Sequence, residues 1–137
     1  MSRRRPKKSG NAEKNTTGRR WAKGRKAEKM ARDYLKSRGI KVLQKNFRPR
    51  RGELDIIARD GDSLCIVEVR SRDAGSNRVP EASLSPRKIK NITGAANSFV
   101  KKHRLFNTPV RFDLLVVNLE TREIKYYPGG ITPSPPV

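Results

Sequence analysis

The 137-residue sequence predicts an α/β fold in which helices flank a mixed central sheet, in the order αβββαβ with a further short strand. Two segments carry apolar residues at the spacing of one helical face, and a strand-rich region lies between them. In that region apolar and polar residues alternate on both sides of a glycine-containing turn, as in an antiparallel hairpin. A strand, a helix and a second strand in succession imply at least one parallel strand pair. The length fits a single domain.

The first predicted helix runs from Thr17 to Arg38. Its apolar positions recur at helical spacing; they are Ala27, Met30, Ala31, Tyr34 and Leu35. Gly39 follows as a typical residue for ending a helix, because glycine adopts the left-handed conformation without steric cost. The apolar residues between Ile40 and Phe47 then indicate a first strand.

The segment from residue 52 to residue 72 predicts two antiparallel strands. Apolar side chains recur at every second position before Asp60-Gly61, which is a hairpin turn signal, and again after it. A slip of one residue in the pairing would move every side chain to the other face of the sheet. The pairing parity is therefore a specific structural prediction.

That parity concerns two carboxylates, Asp55 and Glu68. In a hairpin whose turn has an even number of residues, the numbers of directly paired residues add up to an odd value. The numbers 55 and 68 also add up to an odd value, so the two carboxylates lie on the same face of the sheet. They lie directly opposite each other if Gly61-Asp62 form the turn, and they are diagonal neighbours if Asp60-Gly61 do. Arg70 lies on the same face in both cases.

A second helix is predicted after Ser85-Pro86, which reads as an N-cap followed by a proline in the first helical position. Its apolar stripe consists of Ile89, Ile92, Ala95, Ala96, Phe99 and Val100. A strand is predicted over residues 110–118, and residues 122–127 are expected to return beside it as a short strand.

Both ends of the chain are predicted to lie outside the domain, which spans residues 17–127. Residues 1–16 are basic or small and polar with almost no apolar side chains, so we expect a disordered basic arm. Residues 128–137 are rich in proline and glycine, so we expect a loose tail.

The sequence has 33 basic and 13 acidic residues, a net charge of +20. The first 26 residues hold 11 of the basic residues and one acidic residue, so the arm and the body of the protein each carry about half of the excess. This surplus predicts a polyanionic partner. We favour nucleic acid over a membrane surface because no basic amphipathic helix with a strong apolar face stands out in the arm.

The sequence also indicates in which cellular compartment the protein resides. The longest apolar runs, Leu64–Val67 and Leu114–Val117, are far shorter than the roughly 18 residues of a membrane span. The basic N-terminus lacks the apolar segment of a secretory signal. Cys65 is the single cysteine and cannot form an internal disulfide, which points to a reducing compartment. We therefore expect a cytoplasmic protein that does not bind membranes.

Asp55 and Glu68 are unusual because they interrupt otherwise apolar strands. Two carboxylates close together repel each other unless one is protonated or a cation lies between them. Their oxygens suit Mg²⁺ or Mn²⁺, with waters and a substrate phosphate as further ligands. Such an ion can polarise a phosphodiester and activate a water molecule. The alternative is that both carboxylates pair with nearby arginines on a half-exposed face.

Several motifs resemble the YraN family of uncharacterised bacterial proteins, over roughly residues 18–127. They are the helix pattern G-x-x-A-E-x-x-A-x-x-Y-L from Gly24, N-F-R from Asn46, R-G-E-L-D-I-I from Arg51, V-E-V-R-S-R from Val67 and R-F-D from Arg111. That family looks like a branch of the PD-(D/E)XK nuclease superfamily. The resemblance implies a restriction-endonuclease-like or Holliday-junction-resolvase-like fold, whose αβββαβ core agrees with the predicted order.

The resemblance also implies roles for individual residues. Asp55 matches the metal-binding aspartate, and Glu68 matches the acidic member of the (D/E)XK element, with the carbonyl of Val69 as a further ligand. Glu28 matches an acidic position that resolvase-like relatives place near the metal. The implied activity is that of a Mg²⁺- or Mn²⁺-dependent endonuclease on DNA, with branched or damaged DNA as candidate substrates. Resolvase-like relatives act as homodimers.

Arg70 departs from the family pattern, which has lysine at this position. A guanidinium stays protonated at neutral pH and is a poor general base, but it can hold a phosphate through two hydrogen bonds and stabilise developing negative charge. Two hypotheses follow. The protein is a metal-dependent nuclease, or it is a non-catalytic nucleic-acid-binding protein on a degenerate nuclease fold, associated with RNA or the ribosome.

Basic residues that flank this site in the sequence are interpreted as phosphate contacts, the alternative being a solvated surface. They are Arg48, Arg50, Arg51, Arg72, Arg87, Lys88 and Lys90. Lys88, on the second helix, is the best single candidate. His103 is expected at the surface near a helix C-terminus, and Asp113 is expected to form an ion pair with Arg111.

Overall fold

The computed structural model describes residues 12–72 and 84–135, with side chains described from Gly24 onward. The elements in chain order are α1 (Ala12–Ser37), β1 (Lys41–Phe47), β2 (Leu54–Asp60), β3 (Ser63–Arg72), α2 (Pro86–His103), β4 (Val110–Asn118) and β5 (Ile124–Tyr127). The strands form a five-stranded sheet in the order β1-β2-β3-β4-β5. The β3–β4 pair is parallel and the other pairs are antiparallel. The predicted mixed α/β architecture is confirmed, and it is consistent with a restriction-endonuclease-like core.

The sheet separates two apolar clusters, one beneath each helix. Ile57 belongs to the cluster that α2 covers with Ile92. Its neighbour Ile56 belongs to the cluster that α1 covers with Leu35, because successive strand side chains point to opposite faces. Neither described helix is long and apolar enough to cross a membrane.

The helix α1 begins at Ala12, earlier than the predicted start at Thr17. Residues 12–16, which were assigned to the basic arm, are therefore helical. Alanine, glutamate and lysine in this stretch are strong helix formers, and this local preference extends the helix beyond its apolar stripe. The rest of the predicted arm, residues 1–11, lies outside the described residues. The predicted end is correct, since Gly39 has a φ of 80° after the last helical turn.

The helix α2 begins as predicted. The Ser85 side chain accepts a 3.1 Å hydrogen bond from the backbone N–H of Lys88 and so caps the first turn. At the other end, Arg104 adopts a left-handed conformation with a φ of 55°. The cap places the side chain of Lys88 in the first turn of α2, beside the sheet.

The β2–β3 hairpin resolves the alternatives that the sequence left open. Asp60 pairs with Ser63, so Gly61-Asp62 form the turn. Continuing this register to the start of β2 places Asp55 directly opposite Glu68. The two carboxylates therefore share a face, as the parity predicted.

The segment after β5 is held against the domain. Ile131 is 5% exposed and joins the cluster beneath α2, and its backbone N–H donates a hydrogen bond to the carbonyl of Phe112. The backbone N–H of Ser134 donates to the hydroxyl of Thr93 on α2. The prediction of a loose tail is wrong for this part of the chain, because one apolar side chain is enough to anchor a proline- and glycine-rich segment. Residues 136–137 lie outside the described residues.

Candidate metal and nucleic-acid site

Two carboxylates meet where β2 and β3 lie side by side. Glu68 is 4% exposed, and its carboxyl group is close enough to that of Asp55 for the two to share a hydrogen-bonded proton. Asp55 also accepts a 2.9 Å hydrogen bond from the backbone N–H of Val69. The pairing of β2 with β3 thus holds the two acidic groups together, and burial limits the access of water to them.

Two cationic side chains approach the same oxygen of Glu68. The Nε atom of Arg70 lies 3.5 Å from Glu68 Oε2, and the Nζ atom of Lys88 lies 3.6 Å from it. The other oxygen, Oε1, is buried and accepts no hydrogen bond from any described residue. The nearest acidic group to Glu68 is the carboxylate of Asp55, which has no proton to donate when it is ionised.

The electrostatics of the pair follow from this geometry. Burial, and then the charge of Asp55, raise the pKa of Glu68 to about 8, although Lys88 and Arg70 act in the opposite direction. Burial also raises the pKa of Asp55, against the effect of the hydrogen bond from Val69. At neutral pH the pair therefore retains a proton unless a cation replaces it.

Glu28 reaches the site from the opposite layer of the fold. Partial burial is the main cause that raises its pKa, followed by the charges of Asp55 and Glu53, while Arg32 and Arg48 lower it. Glu28 thus lies within electrostatic range of Asp55. Within residues 12–72 and 84–135, however, no three acidic, histidine or cysteine side chains converge closely enough to bind one ion.

The available donors fit a hard divalent cation such as Mg²⁺ or Mn²⁺. Besides the carboxylates of Asp55 and Glu68, the carbonyl of Val69 points to the same side of β3 as the N–H that donates to Asp55. Mg²⁺ commonly binds through one or two carboxylates and completes its shell with waters and substrate phosphates. The buried Oε1 of Glu68, which lacks a donor in the described chain, is available to such an ion.

The structure brings one of the predicted phosphate contacts, Lys88, to this pair. Lys88 touches Glu68 directly, and Arg51 and Lys90 line a cavity of about 550 Å³ beside α2. Arg48 forms an exposed 3.2 Å ion pair with Glu53. Arg50 and Arg87 are exposed, and Arg72 is partly buried.

Two residues beside the site were not predicted. Asn46 has a φ of 53°, and the β1–β2 register places it opposite Asp55. Gly52 has a φ of 80°, and a Cβ atom there would lie 2.5 Å from the carbonyl oxygen of Asn91. Asparagine and glycine are the residue types that favour this conformation, but they occur in many ordinary turns, so the sequence alone does not mark these two.

Three further residues that the sequence singled out lie away from the site. Asp113 pairs with Arg111 at 2.8 Å, as predicted. Cys65 is fully buried beneath α1, and burial raises the pKa of its thiol to about 11, so it is an unreactive core residue. His103 is exposed at the end of α2, where its ring packs on Phe99 with the ring centres 4.3 Å apart.

A protein-family model matches residues 27–117, and its description is Uncharacterised protein family UPF0102. The chain belongs to this family. A UPF0102 protein of Clostridioides difficile (strain 630) is 43% identical over 104 residues, which cover 76% of this chain and 91% of the relative. A UPF0102 protein of Anaeromyxobacter dehalogenans (strain 2CP-C) is 36% identical over 113 residues, covering 81% and 84%. One of Persephonella marina (strain DSM 14350 / EX-H1) is 39% identical over 106 residues, covering 77% and 91%.

The match confirms the predicted resemblance, since UPF0102 is the YraN family. The matched region extends from the middle of α1 into β4, and it includes Glu28, Asp55, Glu68 and Lys88. The first 26 residues, which carry half of the net charge, lie outside it. The candidate site is therefore part of the UPF0102 domain itself.

Proposed function

We propose that this UPF0102 protein binds nucleic acid, DNA in preference to RNA, and hydrolyses its phosphodiester bonds as a Mg²⁺- or Mn²⁺-dependent endonuclease. The observation that carries the proposal is the Asp55–Glu68 pair, in which Glu68 is buried and its Oε1 atom has no donor among the described residues. A divalent ion bound there would polarise the phosphodiester and activate a water molecule. The net charge of +20 supports a polyanionic substrate, and the resemblance to PD-(D/E)XK nucleases supports DNA.

Each side chain of the site has a role in this proposal. Asp55, Glu68 and the carbonyl of Val69 hold the ion. Arg70 and Lys88, which both approach Glu68 Oε2, bind the phosphate oxygens and stabilise the negative charge that develops on them. Lys88 thereby adds, from α2, a second positive charge beside the guanidinium of Arg70.

Asp55→Ala is expected to slow metal-dependent cleavage at least about a hundredfold, because the lost ion supplies several kcal/mol of transition-state stabilisation. The measurement is the rate of cleavage of duplex, single-stranded and junction DNA, and of RNA, with Mg²⁺ or Mn²⁺. Asp62→Ala is the matched control, since Asp62 is exposed in the turn at the other end of the same hairpin. Parental rates in both Asp55→Ala and Glu68→Ala would show that the site is elsewhere.

The identity of Arg70 favours a second candidate function, a non-catalytic nucleic-acid-binding protein associated with RNA or the ribosome. A guanidinium does not readily accept a proton from water. This candidate requires binding that weakens with salt and no cleavage with either metal.

Arg70→Lys separates the two candidates. We expect it to accelerate metal-dependent cleavage about tenfold or more, since lysine restores the group that the motif uses in proton transfer. The measurement is the single-turnover rate against the parent. Arg59→Lys is the control, because Arg59 is exposed on β2, where its Nε atom donates a hydrogen bond to the nearby carbonyl of Gly61. Salt-sensitive binding without cleavage in the parent and in Arg70→Lys would instead support the non-catalytic protein.

A cytoplasmic location is part of the same proposal. Cys65 is the single cysteine of the chain, so no internal disulfide calls for an oxidising compartment. The homodimer that the resemblance implies stays a prediction.

A further inference from the structure

The exposed side of α2 forms a basic ridge. Its members follow the spacing of one helical face and are all exposed; they are Arg87, Lys90, Gly94, Asn97 and Lys101. The helix contains five lysine and arginine residues and no aspartate or glutamate. A polyanion can therefore lie along the ridge without meeting an acidic side chain of α2.

The ridge leads away from the carboxylate pair. Lys88, in the first turn of α2, contacts Glu68, and the 18 residues of the helix span about 27 Å. The central part of the ridge lines the cavity of about 550 Å³, and residues 133–135 line it as well. A Cβ atom added at Gly94 would meet nothing within 4 Å, so the helix backbone is open to close approach there.

An apolar ring is exposed in the loop between α2 and β4. Phe106 is 66% exposed, compared with 42% for Leu43 and 36% for Val110, the other large exposed apolar residues in the described part of the chain. Val110 lines the cavity and begins β4 directly after the loop that contains Phe106. The last turn of α2 before this loop is basic. An exposed aromatic ring that follows a basic helical turn in the chain has the composition of a surface on which a base stacks.

We propose that a nucleic-acid strand runs along α2 from the Asp55–Glu68 pair and that an unpaired base stacks on Phe106. Bases inside a duplex already stack on both faces, so the ring engages a base that lacks a stacking partner. At about 3.4 Å per nucleotide, the length of α2 separates this base from the carboxylate pair by about eight nucleotides. The inference rests on the nucleic-acid binding proposed above and adds a substrate class: duplex DNA that ends in an unpaired strand.

The test compares two labelled DNA duplexes of identical sequence, one blunt and one extended by a short unpaired tail. Affinities are measured by fluorescence anisotropy in EDTA. Phe106→Ala is expected to weaken binding of the tailed duplex about tenfold, the typical loss for one base–aromatic stack, and to leave the blunt duplex unchanged. Leu43→Ala is the matched control, because Leu43 is an exposed apolar residue on the edge strand β1. It is expected to change neither affinity.

Two further variants belong to the same binding series. Phe106→Trp, made in a Trp21→Phe background that removes the single native tryptophan, is expected to keep the preference for the tail, and its fluorescence is expected to be quenched by tailed DNA alone. Lys101→Gln is expected to lower the slope of log affinity against log salt by about 0.7–0.9. Lys36→Gln, in the last turn of α1 on the other side of the sheet, is expected to leave that slope unchanged.

Equal affinities of Phe106→Ala and the parent for tailed DNA, or equal losses for both duplexes, would overturn the stacking role. Because EDTA prevents metal-dependent cleavage, these outcomes do not depend on nuclease activity. If the parent binds tailed DNA and Phe106→Ala binds it equally well, only this inference is overturned. A parent that binds neither duplex overturns the proposed nucleic-acid binding as well.

Discussion

Glu68→Gln is expected to stabilise the folded protein at neutral pH while it abolishes metal-dependent cleavage. Glu68 is 4% exposed beside Asp55, and its ionised form places two negative charges together in a buried site. The amide introduced by the substitution is neutral, and it can donate a hydrogen bond to Asp55 and accept one from Lys88. The substitution therefore removes a repulsion that the folded protein otherwise bears.

The direction in which stability changes with pH follows from the raised pKa of Glu68. The pKa of Glu68 is raised from an ordinary value of 4.5 to about 8 in the folded protein. Between these values the folded chain binds more protons than the unfolded chain, so the parent loses stability as pH rises from 4.5 toward 8. Each pKa unit corresponds to about 1.4 kcal/mol, so the whole interval amounts to several kcal/mol. Glu68→Gln is expected to lack this loss.

The measurement is urea unfolding of the parent and Glu68→Gln at several pH values in EDTA, followed by thermal unfolding with and without Mn²⁺. Mn²⁺ is expected to raise the melting temperature of the parent but not that of the variant, since the ion stabilises only a fold that binds it. Glu120→Gln, an exposed substitution in the β4–β5 turn, is the control. A variant with the same pH slope as the parent would contradict the buried pair, and equal responses to Mn²⁺ would contradict the metal site.

Asp113→Ala is expected to lower the free energy of unfolding by about 3–5 kcal/mol, the usual loss when one partner of a buried ion pair is removed. Asp113 is completely buried. It accepts hydrogen bonds from the Nε and Nη2 atoms of Arg111 at 2.8 and 3.0 Å, from the Tyr126 hydroxyl at 2.5 Å and from the Gly129 N–H at 2.8 Å. Its loss leaves these donors without their acceptor.

This network joins β4, β5 and the segment that follows β5, so its loss is expected to weaken their packing together. The measurement is urea unfolding, with Asp33→Ala as the matched control. Asp33 also forms an ion pair at 2.9 Å, with Lys29, but both side chains are exposed on α1. Exposed pairs contribute little to stability, so this control is expected to unfold like the parent. A loss in Asp113→Ala no larger than in Asp33→Ala would show that the network is not structural.

The local patterns of the sequence were sufficient for the order of elements. The spacing of apolar residues predicted the core faces of both helices, and Ser85 and Gly39 marked boundaries that the structure retains. Boundaries without such signals were less accurate. The start of α1 at Ala12 reflects residue preferences outside the apolar stripe, and Ile131 anchors a segment whose composition predicts a loose tail.

The candidate site was only partly accessible from sequence. Asp55 and Glu68 share a face because side chains alternate along paired strands, and this rule needs no knowledge of the rest of the fold. Whether they lie opposite or diagonal depended on the turn, and Gly61-Asp62 and Asp60-Gly61 are both acceptable turn sequences. The positive φ of Asn46 was not predicted, since asparagine favours this conformation but also occurs in many ordinary turns.

The sequence by itself determined the α/β class, the family and the face on which the two carboxylates lie, because each depends on local periodicity or on contiguous motifs. Only the tertiary structure decided that Lys88 meets Glu68 at 3.6 Å, that Glu68 Oε1 is buried without a donor in the described chain, and that the tail closes on α2. These contacts join elements far apart in the chain. Their distances depend on how a helix is set on a sheet, and no local pattern of residues encodes that placement.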